Sequence, residues 1–160
     1  MPDLQLTYDA EVWQAVDRAG TDRAAILSPA QEDGRSARLV LLAEPAEPPI
    51  WLDLTAFPMQ ATSVVAAAEE LLGGDSGDVE DITLPGGLAA GRRVRFVPAG
   101  SLVPDLPQGN VMVAELYLAR QLRAADGDWL LLATVVTQRI NELADIAENV
   151  EDVVAMATVI

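Results

Sequence analysis

Residues 111–160 read VMVAELYLARQLRAADGDWLLLATVVTQRINELADIAENVEDVVAMATVI, and a change of period inside this block decides the fold. Residues 111–119 alternate from side to side: Val113, Glu115 and Tyr117 share one face of a strand, and Met112, Ala114, Leu116 and Leu118 share the other. Residues 129–137 make a second, almost wholly apolar strand. Asp126-Gly127 between them is the strongest hairpin signal in the chain, because such turns need the positive φ that Gly supplies. Past Thr137 the apolar residues take up helical spacing. Leu143, Ile146, Ala147, Val150, Val153, Val154 and Ala157 form one stripe, Glu142, Asp145, Glu148, Glu151 and Asp152 fill the rest of the surface, and Asn141 is placed to cap the helix.

Outward from this block, residues 92–97 alternate outward Arg with inward Val94 and Phe96 and read as a strand behind the Pro85-Gly86-Gly87 turn, with residues 82–84 as a short strand before it. Residues 62–72, TSVVAAAEELL, are rich in Ala and free of Gly and Pro, and Gly73-Gly74 stops them: a helix. The three prolines of residues 44–49 must leave any sheet. Residues 24–29 and 38–43 are apolar runs joined by the polar segment 31–36, which reads as a hairpin. Leu4, Leu6 and Tyr8 alternate with polar residues as an opening strand, and residues 9–17, with Trp13, read as a turn or one helical turn. The expected fold is α+β, a single domain over 1–160, with an antiparallel sheet of about six strands packed with two long helices.

Composition narrows the chemistry. The chain has neither Cys nor His, which removes thiolate nucleophiles, the triads built on imidazole and the usual transition-metal ligands. Acids outnumber bases 25 to 10, for a net charge of −15. Every base is arginine, as a GC-rich genome favours. Nucleic acid and anionic membrane surfaces repel such a chain, whereas a basic protein partner attracts it. The N-terminal MPDLQLTYDAEVW lacks a basic stretch followed by an apolar run, and no window reaches the ~18 apolar residues that span a bilayer, so a cytoplasmic location is expected.

The layout resembles the PsbP-like superfamily, which includes the LpqN lipoproteins of mycobacteria. The likeness is carried by the Leu4-x-Leu6 strand shortly before Trp13, the helix over 62–72, the strand over 92–97 after a Gly-rich turn, and the closing strand and helix of 129–160. It covers most of the chain. The lipoprotein members carry a signal and a lipidated cysteine that this chain lacks. What the resemblance implies is a non-enzymatic scaffold that works by protein contact, without catalytic residues or cofactor.

Individual residues offer several openings. Trp51, Val113, Tyr117 and Trp129 are candidates for an apolar partner-binding face. Arg93 and Arg95, two apart on a strand, share a face where they can contact an anion or pair with carboxylates. In the acidic loop DSGDVED (75–81), Asp75, Asp78 and Glu80 can supply oxygen ligands to a hard cation, although the spacing departs from the EF-hand and a solvated loop is the plainer use. Glu115, inside an apolar strand, can act as a general base if it is half buried, although an open face beside the Tyr117 ring is the plainer place for it. The leading expectation is a non-enzymatic protein-binding or accessory module, linked to secretion or the cell envelope of a GC-rich bacterium. The alternatives are a small carboxylate-based enzyme or ligand-binding protein using Glu115 with Asp75 or Asp78, and a homodimeric structural subunit.

Overall fold

The computed structural model describes residues 4–16, 36–42, 50–60, 63–73, 79–98 and 112–159. In chain order the elements are β1 (Leu4–Gln5), β2 (Trp13–Val16), β3 (Ser36–Leu41), β4 (Trp51–Pro58), α1 (Val64–Leu72), β5 (Glu80–Leu84), β6 (Leu88–Pro98), β7 (Met112–Ala124), β8 (Gly127–Thr137), a 3-10 turn (Ile140–Glu142), α2 (Leu143–Met156) and β9 (Thr158–Val159). Strands β2-β3-β4-β8-β7-β6-β5 form one antiparallel sheet in that spatial order, and β1 pairs with β9 in a separate two-stranded ladder.

The long hairpin β7–β8 is the spine. Ala124 pairs with Gly127, whose φ is 134°, so the loop is Ala125-Asp126 and the ladder runs back to Ala114–Thr137. Its two faces bury different things. On one face Leu116, Leu118, Leu122, Leu131, Ala133 and Val135 meet Ile146, Val150, Val153 and Val154 of α2, with Leu39, Leu52 and Leu54 extending the core across β3 and β4. On the other face α1 lays Ala67 and Ala68 over Ala119 and Leu130. Small residues let that helix come close. Gly91 of β6 lies in the same contact, where a Cβ would stand 2.8 Å from Cγ1 of Val79. Ser63 caps α1, its hydroxyl accepting from the amide of Ala66, and Gly73 ends it at φ 67°.

Several expectations are corrected. Among the described residues the chain is mostly sheet, with seven strands in the main sheet and only one long helix, α2, rather than about six strands and two long helices. The helix expected over 62–72 is the nine-residue α1, because Ser63 turns out of the helix to cap it. Residues 51–58 had no element assigned, yet β4 lies between β3 and β8 in the sheet. Its run from Leu52 to Ala56 is buried on both faces, which hides strand alternation. Residues 13–16 are a strand rather than a helical turn, closing the sheet's far edge on β3. Asn141 does not cap α2: it sits within the 3-10 turn, and the helix begins behind Glu142 without a side-chain cap. The run at 24–29 and the hairpin segment 31–35 lie outside the described residues.

Candidate functional site

The α1 face carries a polar row that crosses five strands. Arg38 pairs in register with Asp53, Asp53 with Thr134, Thr134 with Tyr117 and Tyr117 with Arg93. At one end Arg38 grips Asp53 side-on, Nε to Oδ1 at 2.7 Å and Nη2 to Oδ2 at 2.6 Å, both groups shut off from water. The indole of Trp51 closes over this pair, its centroid 5.0 Å from the guanidinium carbon. At the other end the Arg93 guanidinium lies 4.6 Å from the ring centroid of Tyr117, and its Nη1 donates to the Gly73 carbonyl at 3.1 Å, tying the end of α1 to β6. Arg93 and Glu115 are each only 4% exposed. Glu115 lies two residues before Tyr117 on the same face, where its charge bears on the phenol.

Among the described residues two buried donors lack an acceptor, Nε of Arg93 and Nε1 of Trp51. They belong to β6 and β4, which β7 and β8 separate, so about 14 Å of sheet lies between their strands and no one small ligand serves both. Glu115 is closed off from solvent. The row therefore reads as an internal brace between the two halves of the sheet.

Burial holds the Tyr117 phenol above the usual tyrosine pKa, the Glu115 charge adds to the rise, and Arg93 opposes it. Above pH ~10 the unfolded phenol has lost its proton while the folded one keeps it. The folded state then binds more protons, so this contribution to stability is complete below that window and falls as pH rises through it. In an ultraviolet titration of the folded chain, with two tyrosines, one phenol is expected to ionise later than in the urea-unfolded chain. Tyr117→Phe removes that late step. Coincident titration of the folded and unfolded chains contradicts the buried placement.

Among the residues singled out from sequence, Trp51, Val113, Tyr117, Arg93 and Arg95 fall on the α1 face and Trp129 on the α2 face, where it is buried and its Nε1 donates to Asp126 at 3.1 Å. Val113 is buried as well, and Arg95 is exposed next to Glu115 across the ladder. Glu80 is bound at 2.9 Å to Nη2 of Arg92. Asp75 and Asp78 lie outside the described residues. No group of acids able to hold a metal occurs among the described residues, and no described helix is long and apolar enough to cross a membrane.

Exposed apolar surface lies elsewhere, at the end of the sheet. Strand β5 pairs with β6 only over Leu88 to Arg92, whereas β7 pairs with it up to Pro98. Val79, just before β5, turns beneath α1 to pack on Ala67 and Ala68. Among the described residues, 93–97 of β6 thus have a strand on one side only. On the α2 face of this stretch Phe96 is 53% exposed, Val94 39% and Met112, paired with Pro98, 43%. A groove of about 350 Å³ runs beside them, lined by Val94, Leu116, Leu143, Ala144 and Ala147, with Arg92 and Glu80 at one end. Sequence reading placed Val94 and Phe96 inward, because alternation gives the face but not whether a helix covers it; α2 stops short of β6's last residues.

No family model and no curated protein matches the chain by sequence. Among solved structures the fold is similar to that of LpqN of Mycobacterium tuberculosis, described as involved in cell envelope biogenesis, with a TM-score of 0.58 at 14% identity over 99% of this chain and 84% of that one. The likeness is one of fold.

Proposed function

We propose that the chain is a non-enzymatic accessory module that holds a partner protein on the open end of its sheet, in the service of secretion or the cell envelope of a GC-rich bacterium. The observation that carries the first half is the grouping of Phe96, Val94 and Met112, all exposed, on one face at the end of the sheet. Large apolar side chains gathered on one face are costly to leave in water, so their usual reason is a partner. The envelope half is supported by the likeness of fold to LpqN.

The test is capture from a lysate of the source organism with tagged wild type and with Phe96→Asp, read by mass spectrometry. Phe96 is more than half exposed, so the variant is expected to fold like wild type and to lose a stoichiometric partner that wild type retains, by at least about tenfold. Equal recovery by both proteins removes this surface from the reading.

A further inference from the structure

We infer that the chain binds a small organic acid, a single carboxylate on an apolar body, in the cleft where β6 and β7 part. The cleft is distinct from the surface around Phe96, and nothing in the inference depends on a partner there. The ladder between the two strands ends at the pair Ala90–Arg120. Past it, Ala89 and Leu88 go on pairing with Thr83 and Leu84 of β5, while residues 121–124 go on pairing with β8. The gap opens a cleft of about 450 Å³, within the size range of small-molecule sites.

Its wall is unlike the rest of the chain. Acids outnumber bases 25 to 10 in the sequence, yet the described residues that line the cleft include two arginines, Arg120 and Arg123, and no acid. Three residues apart on one strand, these cations belong to opposite faces of the sheet, Arg120 to the α2 face and Arg123 to the α1 face, and flank the gap from both. The acid across the ladder from Arg123 is Asp128, which accepts from Nε2 of Gln121 at 2.8 Å.

Arg120 supplies the specific geometry. Its bonds to the carbonyls of Val154, Ala155 and Ala157 all come from Nη1, and Nε and Nη2 make none among the described residues. That Nε–Nη2 edge is the one with which Arg38 grips Asp53, so the acceptor it suits is again a carboxylate, whose two oxygens take parallel bonds. Leu88, Leu122 and Val159 give the cleft an apolar wall, which a bare ion does not use and a hydrocarbon body does. The net charge of −15 limits the ligand's own charge. It repels a polyanion strongly, whereas a single negative head close to two guanidinia is screened from the more distant acids beyond about 8 Å at physiological salt.

The probe is octanoate, with acetate as the head alone and octanol as the body alone. Each is titrated into the isotope-labelled full chain and followed by nuclear magnetic resonance at the arginine Nε–Hε groups and at the amides of residues 88–89 and 121–123. Octanoate is expected to move the Arg120 and Arg123 signals and to bind at least about tenfold more tightly than either fragment. Arg123→Gln and Ala89→Glu, both at exposed positions where the fold is expected to hold, should weaken octanoate at least about fivefold. Phe96→Asp, at the far end of β6, should bind it as wild type does. Octanol or acetate binding as tightly as octanoate, unchanged affinity in both cleft variants, or no shift at about 10 mM octanoate overturns the inference. The lysate partner and this site are read by different variants, so either can fail while the other stands.

Discussion

Asp53→Ala is expected to lower the unfolding free energy by about 3–5 kcal/mol, the cost of stripping the partner from a buried charge. The carboxylate accepts two parallel bonds from Arg38, at 2.7 and 2.6 Å, between strands β3 and β4, and the Arg38 side chain is wholly removed from solvent. Removing the carboxylate leaves the guanidinium with its remaining contacts, among them the Trp51 ring, yet without the counter-charge that Asp53 supplies and with no room to reach water. Asp53→Asn keeps one acceptor oxygen and is expected to lose less. Arg38→Lys should be nearly as damaging as the alanine change, because a single ammonium cannot reproduce the side-on fork. The combined Arg38→Met/Asp53→Leu variant should recover much of the loss, since a buried ion pair is costly to break but adds little over apolar side chains of like volume. Urea unfolding of the four variants checks this; a loss under about 1 kcal/mol for Asp53→Ala would mean that the pair is hydrated, as surface pairs are.

The same two strands show where sequence reading reaches and where it stops. Residues 129–137 are legible as a strand-length apolar run behind the Asp126-Gly127 turn, and the stripe of α2 because it has a single period and one buried side. Strand β4 is not, because Asp53 and Thr55 are buried on one face while Leu52 and Leu54 are buried on the other, and the mean pattern shows no alternation. Nothing in the sequence alone marks Arg38 and Asp53 as partners. They lie 15 residues apart, and that distance is closed only by the β3–β4 register.

The polar face was half legible. Alternation within β7 puts Glu115 and Tyr117 together, and the structure keeps them together. Grouping Trp129 with them overlooks the turn. A two-residue loop pairs odd positions of β7 with even positions of β8, as Tyr117 with Thr134, so Trp129 had to fall on the other face, with Leu122. The open end of β6 was not legible, because it depends on where β5 stops and where α2 ends. Those limits are set by packing and not by the residues of β6 themselves.

The second large effect is expected at Arg120. Helix α2 ends without the usual devices: it has no basic residue in its last turn, and Ala157 beyond it is extended, at φ −68° and ψ 144°, instead of the left-handed glycine that would turn the chain back onto the last carbonyls. Those carbonyls are served from the sheet. Nη1 of Arg120 on β7 donates to the oxygens of Val154 and Ala155 at 2.8 Å and of Ala157 at 3.0 Å. A cation thus stands where the helix dipole is negative, in a half-buried setting where salt screens little. Burial lowers the pKa of this guanidinium. Arg120→Ala is expected to cost about 3 kcal/mol, from the lost charge-assisted bonds and the carbonyls left without them. Because all three bonds come from one nitrogen, Arg120→Lys should keep more than half of the stability that alanine loses, unlike the fork at Arg38. Location gives a further check. Ala157 leads straight into β9, which holds β1, so amide exchange at Gln5 and Thr158 should quicken in Arg120→Ala more than in the middle of α2. Loss of equal size in the alanine and lysine variants would show that the fork, and not the charge at the helix end, is what the sheet supplies.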